Sequence, residues 1–176
     1  RPIGGRRNRQ LSTWRPERST VPSSRAFAGT TVVLGLISLS HAALTWPATA
    51  TVAFFGGGAA VAFLAEAVVI GLDWLEHHVG PKVIGVPLYV LFGWTGLVYV
   101  SFRLSLLVTD GWLAVGVTAL LATAYDALTD FRGVADGHWT YTDGLPGPRS
   151  RGVPWWNFAG WFVISGITAA LAVPYL

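Results

Sequence analysis

Five apolar runs, each about as long as a bilayer is thick, constrain this chain more than any motif does. A transmembrane helix needs roughly 20 mainly apolar residues, because each residue advances about 1.5 Å through a hydrocarbon core about 30 Å thick. Runs that meet this requirement lie at about 26–46, 49–72, 86–108, 111–129 and 154–174. The composition agrees, with 52% hydrophobic and only 12% charged residues, where an average soluble protein is about a quarter charged. In hydrocarbon every backbone N–H and C=O must be satisfied within its own segment. The runs therefore predict an all-α fold, a polytopic transmembrane helix bundle of about five spans in this chain. Its 176 residues suit one compact bundle rather than two large domains.

Local signals set the expected boundaries. Pro47 closes the first run, since the residue before a proline avoids helical geometry. Gly56 to Gly58 in the second run predict close helix packing. Asp110 is placed to cap the fourth helix and Pro154 to open the fifth. No internal repeat or low-complexity tract stands out.

Residues 1–25 differ from the remainder. They hold seven arginines, Arg1, Arg6, Arg7, Arg9, Arg15, Arg18 and Arg25, against the single acid Glu17, among Pro, Ser and Gly. This is expected to be a basic, mostly disordered arm, with residues 26–176 as the transmembrane helical domain. Directly before an apolar span, such an arm reads as a juxtamembrane segment rather than a nucleic-acid tail. A signal peptide fits less well, because the run at 26–46 is longer than a usual signal core and has no clear cleavage site. The chain opens on Arg1 and holds no methionine, so its native start is expected to be missing or altered. With no cysteine, disulfides and thiolate metal sites are excluded.

The basic residues orient the bundle. With the arm in the cytoplasm, the connections at 73–85 and 130–153 are cytoplasmic too, and they carry Lys82, Arg132, Arg149 and Arg151. Of the 12 basic residues, only Arg103 then falls on the other side, as the positive-inside tendency expects. The expected location is the cell membrane, multi-pass, with a cytoplasmic amino terminus.

That orientation brings acids to one depth. Glu66 lies in the cytoplasmic third of the second span. Asp126 and Asp130 lie near the cytoplasmic end of the fourth, four residues apart and so on one helix face. Asn157 opens the fifth beside Trp155 and Trp156. An ionised carboxylate in the apolar zone costs on the order of 3 kcal/mol, so such groups mark function by default. Asp136 and Asp143 sit in "DG" pairs and read as turn residues.

Metal chemistry is the weaker reading. "DWLEHHVG" offers Asp73, Glu76, His77 and His78, with His138 in the next connection, but adjacent histidines on a helix point about 100° apart. They read as interfacial polar residues, and no metal site is expected. Asp-x-x-x-Asp also occurs at the helix ends of magnesium-dependent membrane transferases. Those usually need a second acidic cluster and a basic diphosphate pocket, and the glycines and arginine of a CDP-alcohol transferase motif are absent. No Gly-rich phosphate loop and no Ser/His/Asp nucleophile pattern is present.

Three stretches carry a family resemblance: "EAVVIGLDWLEHHVGPKVIGVPLYVLFGWTG", "YDALTDFRGVADGHWTYTDG" and "RGVPWWNFAGWF". Together they resemble the carotenoid hydratase family that includes the bisanhydrobacterioruberin hydratase of haloarchaea, over about residues 66–173. The resemblance implies an integral membrane enzyme that adds water to terminal prenyl double bonds of acyclic carotenoids, as from bisanhydrobacterioruberin to bacterioruberin, giving tertiary alcohols. It implies no redox cofactor. The partners are the acyclic carotenoid in the bilayer and water, not nucleic acid; association with other carotenoid enzymes or a second copy stays open. The chain is shorter than this family leads one to expect, and the Arg-rich start matches nothing in it.

The residues suit that chemistry. Hydrating a trisubstituted alkene needs a proton donor, a stabilised tertiary cation and a delivered water. A carboxylic acid in an apolar site can stay protonated near neutrality, a second carboxylate can hold water and take its proton, and aromatic faces can stabilise a cation without trapping it. The expected catalytic groups are Asp126, Asp130, Glu66 and Asn157, with Asp126, one turn deeper than Asp130, as donor. Trp139, Trp155, Trp156 and Trp161 are the expected substrate walls, although some of them serve as interfacial anchors. A metal-dependent prenyl or headgroup transferase and a non-catalytic carotenoid-binding scaffold are the alternatives.

Overall fold

The computed structural model describes residues 24–176. Apart from Ser24 and Arg25, which already belong to the first helix, the expected basic arm lies outside the described residues. Among the described residues, five helices are long and apolar enough to cross a membrane. The first is α1 (Ser24–Thr45). The second span, Ala48–Gly71, is continuous through α2 (Ala48–Val52), a π-helical turn (Ala53–Gly57) and α3 (Gly58–Gly71). Three short strands follow, β1 (Leu75–His77), β2 (Lys82–Val83) and β3 (Val86–Pro87), and lead into α4 (Leu88–Ser105). The remainder comprises α5 (Gly111–Ala135), β4 (Trp139–Tyr141), β5 (Arg149–Ser150), β6 (Val153–Pro154) and α6 (Trp155–Ala170), closed by a 3₁₀ turn at Val173–Tyr175.

The apolar runs located the spans, and three details differ from expectation. The fourth helix does not stop near 129 but continues to Ala135. Asp130 and Arg132 interrupt the apolar run without breaking the helix, which ends only where Gly137 turns with φ +72°. Asp110 stands at the cap position of α5, but its side chain makes no capping bond. Pro154 precedes α6 with extended geometry, so Trp155 is the first helical residue.

An internal repeat, not read from the sequence, organises the fold. The second span with β1, β2, β3 and α4 is one copy; α5 with β4, β5, β6 and α6 is the other. Both copies run helix, strand, two-stranded hairpin, helix. The hairpins share one register, Lys82 opposite Pro87 and Arg149 opposite Pro154. Each turns through two left-handed residues, Ile84 (φ 51°) and Gly85 (φ 81°) in the first, Arg151 (φ 52°) and Gly152 (φ 88°) in the second. The helix ends match as well. Trp74 N–H bonds the carbonyl of Val69 and His138 N–H that of Gly133, while the left-handed turns at Asp73 and Gly137 fall at equivalent places. "GVPLYVLFGW" at 85–94 and "GVPWWNFAGW" at 152–161 are the sequence trace of this duplication.

The copies meet about a pseudo-two-fold axis. β1 and β4 pair antiparallel, Leu75 with Tyr141, Glu76 with Thr140 and His77 with Trp139. Around them His78 N–H bonds the His138 carbonyl, and Thr142 N–H bonds that of Trp74, two contacts that the axis exchanges. On the helices, the equivalent residues Trp94 and Trp161 stack on each other, with centroids 3.6 Å apart. Copies that follow one another with an even number of spans between equivalent points have the same orientation, so the axis runs along the membrane normal.

Small residues allow the helices to approach. Gly57 and Gly58 face Leu171 and Thr168 of the last span, where a Cβ on Gly58 would stand 2.6 Å from Thr168, as the Gly-Gly-Gly run led us to expect. α1 lies outside the repeat and packs on α4, with Gly35 against Phe92 and Gly96. An aromatic core of Trp46, Phe54, Phe55, Tyr99 and Phe102 fills the end of the bundle away from the strands.

Candidate functional site

Folding back from the helix ends, the β1–β4 ribbon roofs a cavity of about 410 Å³ between the two copies. The stacked Trp94 and Trp161 both line it, and Phe27, Thr31 and Leu34 of α1 close one side. Phe27 stacks on His138 with centroids 4.1 Å apart, so the amino-terminal end of α1 lies at the ribbon end of the bundle. Leu34 and Tyr125, also in the lining, are 38% and 52% exposed. The lining thus includes exposed side chains of both α1 and α5.

The four polar residues expected from the sequence, Glu66, Asp126, Asp130 and Asn157, all line this cavity. The three acids are buried. Asp126 and Asp130 share one face of α5, and α6 packs beside it so that Asn157 Nδ2 donates to Asp126 Oδ2 at 2.8 Å. Glu66 pairs with the ring of His77, Nε2 to Oε2 at 3.0 Å, and accepts from the Trp94 indole N–H at 3.4 Å. Counted from the strands that follow, Glu66 and Asp130 are equivalent residues, nine before β1 and nine before β4. Their neighbours are equivalent too: the ring of His77 bonds Glu66, and the Tyr141 side chain lies beside Asp130.

The ribbon groups have settled protonation. Burial first, then the neighbouring carboxyls of Asp130 and Asp126, the bond to Asp130 and Glu66, hold the Tyr141 phenol well above its ordinary range, so it acts as a donor and not as a proton acceptor. Burial lowers the His138 imidazole against the opposing pull of Asp136. The Trp139 indole lies beside Asp130 but closes no well-shaped hydrogen bond.

The tryptophans divide. Trp139 and Trp161 line the cavity. Trp155 and Trp156, expected as substrate walls, do not line it. Trp155 is 46% exposed and lies over Gly147. Trp156 packs outside the ribbon against Trp74 and Tyr141, each at 5.5 Å. Consecutive helical residues point about 100° apart, and the face that carries Asn157 and Trp161 inward turns these two away.

Sequence reasoning missed His77, His138, Tyr141, Tyr89 and Trp94. The histidine pair was expected on a helix at the interface. It lies instead at the end of β1, whose alternation buries His77 and leaves His78 exposed. Among the described residues, six buried side-chain polar atoms lack a hydrogen-bond partner: His77 Nδ1, Tyr89 Oη, Asp130 Oδ2, His138 Nδ1, Trp139 Nε1 and Ser165 Oγ. All but the last belong to residues that line the cavity. An unpaired buried polar atom costs roughly 1–3 kcal/mol, and five of the residues that line this cavity each hold one. Among the described residues, no group of three or more histidine or carboxylate side chains is placed to hold a metal ion.

Comparison with protein families matches residues 27–175 to one family, described as carotenoid biosynthesis protein. Comparison with curated proteins and with solved structures found no match.

Proposed function

This chain belongs to the carotenoid biosynthesis protein family, and from that premise we propose that it is a hydratase that adds water to a terminal prenyl double bond of an acyclic carotenoid. The observation that carries this reading is one cavity lined by three buried acids, a tryptophan stack and five residues that each hold a buried polar atom without a partner.

The end group enters from lipid between Leu34 and Tyr125 while the polyene stays in the bilayer. A cavity of about 410 Å³ suits an end group rather than a whole carotenoid. Asp126 gives its proton to the less substituted alkene carbon, and the tertiary cation forms between aromatic faces that stabilise it without bonding to it. Water held by the unpaired atoms attacks the cation, its oxygen forms the new C–O bond, and its second proton leaves to a base. The proton returns to Asp126 through Asp130, one helical turn away. Asn157 Nδ2 holds Asp126 Oδ2 at 2.8 Å, while Asp130 keeps its Oδ2 without a partner, which supports Asp126 as the positioned acid and Asp130 as the relay.

The test is pigment chemistry. Membranes that hold the chain and an acyclic carotenoid with prenyl ends should yield product heavier by one water per end, in chelator and without added metal or nicotinamide. Asp126→Asn keeps shape and hydrogen bonding but cannot donate an acidic proton. At equal folded amounts it should be slower by roughly 10²–10⁴-fold. Product from folded Asp126→Asn at the normal rate would remove Asp126 from this role; a requirement for magnesium would point to a transferase.

We also propose that the ribbon end faces the cytoplasm, because the basic residues of the connections gather there. Since the chain has no cysteine, Ser150→Cys and Thr109→Cys are clean probes. An impermeant thiol reagent applied to intact cells should label only Thr109→Cys; the opposite pattern reverses the orientation.

A further inference from the structure

His77 is a buried group that lines the cavity and that the reading above leaves unused. Its side chain is 5% exposed, one ring nitrogen is engaged by Glu66 at 3.0 Å, and the other, Nδ1, is buried without a partner. With the Nε2 proton donated to the Glu66 carboxylate, the Nδ1 lone pair is left free. We propose that His77 is the base of the hydration: Nδ1 holds the attacking water and takes its proton, while Glu66 orients the ring and stabilises the imidazolium that forms. This rests on the hydratase reading and deepens it.

The repeat singles out His77. Its equivalent in the second copy is Tyr141, which lies beside the equivalent carboxylate, Asp130. A buried phenol beside three acids donates but does not accept a proton, so of two otherwise matched pairs only the first can act as a base. His138 also has a free Nδ1, but it stacks on Phe27 and has no carboxylate on its other nitrogen to orient it. The proton account closes. Asp126 loses a proton to the alkene carbon, the water oxygen bonds the cation, and His77 gains the second water proton. Transfer from the imidazolium to Asp130 and on to Asp126 restores both groups.

Two variants test the proposal in native membranes. His77→Gln still donates to Glu66 but has no basic nitrogen, and His77→Tyr gives the first copy the group of the second. Both should bind carotenoid as wild type does, by its absorption shift, and leave KM unchanged. Their kcat should fall roughly 10²–10⁴-fold, the typical worth of general base catalysis. His78→Gln, on the exposed side of the ribbon, should hydrate at the wild-type rate. Folded His77→Gln or His77→Tyr with near-normal kcat would overturn the base assignment alone. Wild type that yields no hydrated product would overturn the hydratase reading and this inference with it. A measurement on wild type stands apart from how the variants fold. Nitrogen NMR of isotope-labelled histidine, assigned by elimination with His41, His78 and His138 variants, should show His77 protonated on Nε2 only. A proton on Nδ1 in the resting protein would overturn the proposal.

Discussion

The two copies of the repeat share a backbone and differ in chemistry. Glu66 and Asp130 are both acids at equivalent places, each beside a ribbon side chain, His77 and Tyr141. One turn deeper, the first copy has Ala62 where the second has Asp126. On the following helix it has Val90 where the second has Asn157. The hydrogen-bonded Asp126–Asn157 pair thus faces an apolar counterpart across the axis. A two-fold frame would offer two identical half-sites, whereas an alkene hydration needs a donor on one side and a base on the other. The shared scaffold sets distances, and a few side-chain differences assign roles.

The largest effect should come from erasing the difference at depth. Asp126→Ala with Asn157→Val makes the second copy resemble the first there. Removing both partners of a buried hydrogen bond can be nearly neutral for stability, so the double variant should insert and fold, yet its hydration should drop roughly 10²–10⁴-fold with the loss of the general acid. Retained turnover in this variant, measured per folded protein, would mean that the asymmetry has no chemical role.

A smaller effect is expected where the copies exchange bulk. Gly133 lies under the Trp139 indole so closely that a Cβ would collide with it. The equivalent pair in the first copy is Val69 with Leu75, which pack together beside the ribbon. Gly133→Val should destabilise by about 1–3 kcal/mol, the usual cost of overpacking, seen as a lower midpoint of thermal aggregation in detergent. Adding Trp139→Leu should recover most of that loss by copying the first half. No recovery would show that the halves are not interchangeable at this contact.

How much of this was legible follows from what periodicity and cost can reveal. The five spans could be read because length and apolarity set them directly, and the acids stood out because charge in an apolar run is expensive. The repeat was hidden. Its two copies retain only Gly-Val-Pro and a later Gly-Trp as obvious identities, and the connections from β1 to β3 and from β4 to β6 differ in length. His77 and Tyr141 were hidden for another reason. Strands of three residues carry no measurable period, and only antiparallel pairing of β1 with β4 turns these side chains down onto the helix ends. Trp155 and Trp156 misled because adjacency in sequence suggested a shared wall, which a helix does not provide.

The origin of the new hydroxyl oxygen tests the central claim most directly. Membranes containing the chain are incubated with an acyclic carotenoid in water enriched in heavy oxygen, and the product is weighed by mass spectrometry. If water held in the cavity attacks a tertiary cation, every new hydroxyl should carry solvent oxygen, and the product should appear without dioxygen. Hydroxyl oxygen drawn from dioxygen, or a carotenoid altered without gain of water, would contradict the account.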